Sequence, residues 1–210
     1  MLNNDLSQQI KRNFPYKPTE EQENAVKSFA EFLFSPSADS VFLMKGYAGT
    51  GKTTLTSALV RTLDSLQRKV ILLAPTGRAA KVFSGYAEHP AYTIHKKIYR
   101  QKVFSNETDN FVANQNLHRN TLFIVDEASM IANEGLSGGH FGSGRLLDDL
   151  VQYVYNGLGC RLMLIGDTAQ LPPVCSGIAG LWTGGDRVCA YKSSTTNRRF
   201  RYLVECYCLA

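Results

Sequence analysis

Apolar residues along this chain fall into two rhythms. From Thr19 to Phe34, Ala25, Val26, Phe29, Phe32 and Leu33 recur at three- and four-residue intervals, the spacing that gathers side chains on one face of an α-helix. The Thr19-Glu20-Glu21-Gln22 start has capping-box spacing, in which the threonine and glutamine side chains satisfy amides that a first helical turn leaves unpaired. Pro36 closes the segment. Four short runs, Val41–Met44, Val70–Ala74, Leu122–Val125 and Leu162–Ile165, are rich in aliphatic residues and bounded by polar or glycine-containing sequence. That is the pattern of strands covered on both faces, as in a parallel sheet. Thr53–Leu63, with Leu55, Leu59, Val60 and Leu63 on one face, reads as a helix between two of these runs, and strands alternating with helices imply βαβ units. The expected fold is α/β, a doubly wound parallel sheet. Gln101–Asn120 and Asn133–Gly144 follow neither rhythm and read as surface loops.

Composition narrows this reading. A chain of 210 residues, 44% hydrophobic, can bury one substantial core, or one core and an appendage. The net charge of +5 suits a polyanionic partner and equally describes a solvated basic surface. Met1 to Phe14 is polar, with Lys11 and Arg12, and no run approaches the roughly 18 apolar residues of a membrane span, so the expected compartment is the cytoplasm, with no membrane partner. The five cysteines form no CxxC pair and read as free thiols.

Two motifs carry chemistry. Gly46-Tyr47-Ala48-Gly49-Thr50-Gly51-Lys52-Thr53 matches GxxxxGK[ST] and sits directly after a strand and at the opening of a helix. Its glycines, Gly46, Gly49 and Gly51, let successive N–H groups turn toward phosphates, and the helix N-terminus adds partial positive charge. Lys52 would reach the β- and γ-phosphates of ATP, Thr53 would place its hydroxyl on Mg²⁺, and Thr50 and Thr54 flank the cradle. The second motif is Asp126-Glu127 at the end of the run Thr121–Val125. Asp126 would hold Mg²⁺ through its water shell, and Glu127 would orient and deprotonate the water attacking the γ-phosphate. An acidic pair here could also simply favour the first turn of a following helix.

Six segments, in order from Pro18 to Val174, resemble the motifs of superfamily 1 DNA helicases of the RecD-like and Dda-like branch. PTEEQ at 18–22 resembles the Q motif, GYAGTGKTT motif I, LLAPTGRAAKV at 72–82 motif Ia, AYTIHKKI at 91–98 motif Ib, LFIVDEASMI at 122–131 motif II, and LMLIGDTAQLPPV at 162–174 motif III. The resemblance implies a RecA-like ATP-binding helicase domain over 18–174, after an N-terminal extension at 1–17. It implies an ATP- and Mg²⁺-dependent motor moving 5′ to 3′ on single-stranded DNA. Gln22 would read the adenine edge, although it also fits as the partner of the Thr19 cap. Gln170, with Asp167 nearby, would sense the γ-phosphate, although the segment also reads as a polar turn before Pro172-Pro173. Pro75, Thr76, Gly77 and Arg78 would lie against the DNA backbone, with Thr93 and His95 adding contacts. Lys81, Lys96, Lys97, Arg100 and Lys102 would track phosphates or form a solvated face.

The resemblance stops at Val174. The tail 175–210 holds four of the five cysteines, Cys175, Cys189, Cys206 and Cys208, and shows nothing like the next family motif, roughly LTxVVRQ followed by SGIL. Read one nucleotide later, synonymous codons for Ala190–Cys208 can encode LTKAVRQTEDSGILWNATA, which restores that motif. The expectation is a frame change between about Val174 and Ala190, leaving a motor half that lacks its VRQ arginine and a second RecA-like domain, and is inactive as a helicase alone. Sequencing the coding DNA checks this: the codons should yield this string in the shifted frame, and codons that cannot do so refute the frame change.

Overall fold

In the computed structural model the described residues are 2–36, 40–101, 111–131, 142–167, 188–192 and 201–209. The four aliphatic runs are strands, each reaching one or two residues beyond the run: β1 at Ser40–Gly46, β2 at Lys69–Ala74, β6 at Thr121–Val125 and β7 at Arg161–Gly166. Short β3 at Ala91–Thr93 pairs parallel to β2. β4 at Tyr99–Gln101 and β5 at Phe111–Ala113 form a separate antiparallel pair. Strands β8 at Val188–Lys192 and β9 at Arg201–Leu209 lie within the tail, β9 parallel to β1 and β8 antiparallel to β9. The main sheet runs β3-β2-β6-β7-β1-β9-β8. The expected frame change at 174–190 falls almost wholly outside the described residues, as does Gln170.

Strand alternation shows why these runs carry no polar face. In β1, Val41 and Leu43 enter one core and Phe42 and Met44 the other, and β6 and β7 divide their residues in the same way. Helices α1 (Leu2–Arg12), α2 (Glu20–Phe34), α3 (Lys52–Ser65) and α4 (Gly77–Ala87) cover the Phe42 face. Helices α5 (Ile94–Ile98) and α6 (Leu146–Tyr155) cover the Val41 face. On the first face, the Phe42 ring meets Phe29 edge-on at 5.6 Å and Phe32 at 5.4 Å, which fixes α2 against β1. The doubly wound α/β architecture expected from the sequence is therefore present.

Two stretches hold more structure than their sequence pattern suggests. Residues 2–12, read as part of an extension, form α1, because Leu2, Leu6 and Ile10 repeat every four residues and bring Leu6 and Ile10 into the core beside α2. Lys11 pairs with Glu23, and Asn13 donates to the Thr62 hydroxyl at 2.8 Å. Within the reading of Gln101–Asn120 as a loop, β5 is a strand and Asn116 is buried, its amide donating to the Tyr153 and Val154 carbonyls at 3.0 and 3.1 Å. Those carbonyls belong to the last turn of α6, where the Val154 carbonyl also accepts the Gly157 amide at 3.0 Å. Among the described residues no helix is long and apolar enough to cross a membrane.

Ile10 has no exposed surface and separates the two views of the N-terminal stretch. Ile10→Ala should lower stability in urea unfolding by about 2–5 kcal/mol, the cost of truncating a core aliphatic, whereas a loosely attached extension would lose almost nothing.

Candidate nucleotide-binding site

Every parallel strand of the sheet points its carboxyl end to the same edge, so the loop after β1 and the acidic pair after β6 emerge at that edge, with β7 between them. The β1–α3 loop turns on Gly49 and Gly51, whose φ values of 84° and 85° lie in the left-handed region where a side chain would be strained. At Gly51 space imposes a second requirement: a Cβ there would stand 2.4 Å from the Gln22 amide nitrogen. No side chain caps the first turn of α3, so its amides remain available to an anion, as a phosphate cradle requires. Lys52 lies back along the loop, its ammonium donating to the carbonyls of Gly46 at 2.6 Å and Tyr47 at 2.7 Å. The Thr50 hydroxyl donates to Tyr47 O at 2.9 Å and tightens the same turn. Thr53 and Thr54 follow in the first turn of α3, Thr53 exposed and Thr54 half-buried.

Gln22 closes one side of this loop. Its carbonyl oxygen accepts the Thr19 amide at 3.1 Å while the Thr19 hydroxyl accepts the Gln22 amide at 3.3 Å, so the capping box read from the sequence is present. Its side-chain nitrogen also donates to Thr50 O at 3.2 Å, which ties the start of α2 to the phosphate loop. The cap and the approach to the loop thus coexist in one side chain.

Asp126 and Glu127 leave β6 through a sharp turn. The Asp126 amide donates to Leu73 O at 3.0 Å, and Glu127 adopts φ 54°, ψ 34°, a left-handed conformation costing a non-glycine residue roughly 1–2 kcal/mol. The chain then enters a 3-10 turn at Ala128–Met130, whose Ala128 and Ser129 are buried. The two Asp126 oxygens have different partners: Oδ1 accepts the Glu127 amide at 2.9 Å, and Oδ2 accepts the Tyr86 hydroxyl at 2.5 Å. Burial first, and then the neighbouring Asp126 charge, push the Tyr86 phenol well above its ordinary range, so it stays a neutral donor. Nothing local in the sequence marks Tyr86, which lies beyond the LLAPTGRAAKV segment at 72–82. Asp167 is half-buried just past the Lys45–Gly166 pairing, level with the start of the phosphate loop. Among the described residues no three His, Cys, Asp or Glu side chains cluster.

The segments expected against DNA share this edge. Thr76 and Thr93 are helix caps, accepting the amides of Ala79 and Lys96 at 3.2 Å each, and the Ala74–Thr93 pairing sets the starts of α4 and α5 side by side. Thr76, Gly77 and Arg78 are exposed and Pro75 is half-buried. His95 is half-buried with its ring 5.8 Å from that of Tyr99, and burial lowers its pKa below the usual histidine value, which favours the neutral ring. Lys81, Lys96 and Arg100 are exposed, Lys97 lies over the Tyr92 ring at 5.8 Å, and Lys102 is outside the described residues.

The model of the AAA domain family matches residues 17–180. The ATP-dependent RecD2 DNA helicase of Deinococcus radiodurans is 33% identical over 137 residues, covering 65% of this chain and 16% of that protein. The ATP-dependent DNA helicase Pif1 of Bdellovibrio bacteriovorus is 30% identical over 139 residues, covering 66% of this chain and 30% of its own length. The ATP-dependent DNA helicase dda of Enterobacteria phage T4 is 31% identical over 134 residues, covering 62% of this chain and 28% of its own. The chain therefore spans less than a third of each of these relatives. With its phosphate loop and acidic pair at one edge of a parallel sheet, the chain belongs to the AAA domain family, as a P-loop domain related to the superfamily 1 DNA helicases of the RecD, Pif1 and Dda kinds.

Proposed function

We propose that this chain binds ATP with Mg²⁺ in the crevice between the β1–α3 loop and the end of β6, and that hydrolysis there drives movement along single-stranded DNA. The observation that carries this reading is the arrangement of that edge: a left-handed glycine loop, an α3 first turn without a side-chain cap, Lys52 and Thr53 at its start, and Asp126-Glu127 two strands away. In this reading the amides of Gly49 to Thr54 cradle the phosphates, and Lys52 exchanges its loop carbonyls for phosphate oxygens. Thr53 and Asp126 hold the metal, which neutralises charge on the β- and γ-phosphates when bound. Glu127 takes a proton from the attacking water, Gln22 meets the adenine edge, and Gln170 with Asp167 reports the γ-phosphate.

Single-stranded DNA would run along the same edge, over Pro75–Arg78 and past Thr93 and His95, held by exposed amides and the Arg78 guanidinium in a manner indifferent to base sequence. The 5′ to 3′ direction follows the family resemblance of these segments. Strand separation is proposed only for the motor assembled with a second RecA-like domain, since opening and closing on ATP requires two bodies and an arginine to stabilise the transferring phosphoryl group.

The deciding experiment measures fluorescent-ATP binding and steady-state hydrolysis by the purified chain, with and without single-stranded DNA. Lys52→Ala should abolish binding, and Glu127→Gln should keep binding while lowering any turnover by roughly 10²–10⁴-fold, the usual contribution of a general base. DNA-stimulated turnover supports the motor; binding without turnover makes the chain a nucleotide-binding module; and binding that Lys52→Ala leaves intact refutes the site. For DNA, Arg78→Ala should reduce the slope of log affinity against log salt by about 0.7, the value for one phosphate contact on a single strand. An unchanged slope would remove Arg78 from the interface.

A further inference from the structure

We propose that Tyr86 is a positioning residue for Asp126, fixing the metal-facing carboxylate through its hydroxyl while its own backbone sits against the Ser57 hydroxyl of α3, the helix that carries Thr53. The inference rests on the ATP–Mg²⁺ reading above. An aspartate at a strand end has two free side-chain torsions, and one that holds an ion through water must present its oxygens in a fixed plane. The Glu127 amide on Oδ1 leaves the carboxylate free to swing about that single contact; the Tyr86 hydroxyl on Oδ2 stops the swing.

Tyr86 is itself held from two sides. Its ring stacks on Phe83, with centroids 5.1 Å apart and planes at 28°, and Phe83 is completely buried. Its carbonyl lies 2.9 Å from the Ser57 hydroxyl, which is also 2.9 Å from the carbonyl of Thr53. The Ser57 hydroxyl, which can donate to either carbonyl, thus places the Tyr86 backbone beside the first turns of α3, while the Tyr86 hydroxyl reaches Asp126. Tyr86 occupies the last turn of α4, the helix whose first turn carries Gly77 and Arg78.

Tyr86→Phe keeps the ring and removes only the hydroxyl, so it separates positioning from packing. The full chain is titrated with a fluorescent ATP analogue in EDTA and then with rising Mg²⁺, alongside a thermal melt. The variant should keep its metal-free affinity within about twofold, while the Mg²⁺ concentration giving half of the metal-dependent gain rises about tenfold to a hundredfold, as expected for losing one hydrogen bond to a charged group. Tyr86→Ala should add a loss of melting temperature through the Phe83 stack. An unchanged or lowered Mg²⁺ midpoint in Tyr86→Phe overturns the proposal, as does an equal loss of affinity with and without the metal. Absence of nucleotide binding by the unsubstituted chain would instead refute the underlying reading, and this inference with it.

Discussion

The handover from β1 to α3 is the constraint around which the rest of the site is arranged. A strand must become a helix within five residues, Tyr47 to Gly51, without any side chain occupying the amides of the new first turn. Left-handed turns at Gly49 and Gly51 make this possible, and the absence of a Cβ at Gly51 admits the Gln22 side chain alongside. Once the loop has this shape, Lys52 is gathered onto the Gly46 and Tyr47 carbonyls, and the start of α2 docks on Thr50. Substituting a larger residue at Gly51 would disturb the loop, the lysine and the helix cap together.

The sheet supplies the frame for this turn. Because β1, β2, β3, β6 and β7 are parallel, every loop that follows them emerges at one edge, and chemistry from distant parts of the chain converges without long excursions. Covering both faces has its own requirement: each strand must be apolar at consecutive positions, which is why Val41 through Met44 and Leu162 through Ile165 contain no polar residue. Rigidity at the edge follows from this burial, since the strand ends that carry Gly46 and Asp126 are anchored by two cores rather than one.

The same burial made much of the fold legible. Consecutive aliphatic residues announce doubly covered strands, and the capping box and phosphate loop are local patterns whose meaning needs only a few neighbouring residues; each appears where its spacing put it. Features that depend on distant partners were not legible. Helix α1 shows only Leu2, Leu6 and Ile10 in a polar stretch, too thin a stripe to read without the α2 surface it meets. The buried Asn116 matters because α6 ends beside it, which no spacing near residue 116 reveals. Tyr86 reaches Asp126 across 40 residues of chain, a contact created by packing α4 against the sheet. Thr76 and Thr93, singled out by family resemblance for DNA contacts, cap helices, a role that their positions before GRAAK and IHKK encode.

Gln22 engages both ends of its amide, one in the cap of α2 and the other on the phosphate loop. The position is therefore pleiotropic. Selection on how firmly the N-terminal region folds and selection on how the loop is shaped act through a single codon, so neither trait can drift independently there. Asparagine, one methylene shorter, would have to give up one partner to keep the other, and glutamate would keep an acceptor for Thr19 but have no donor for Thr50. Glutamine combines the reach, the donor and the acceptor that this junction uses.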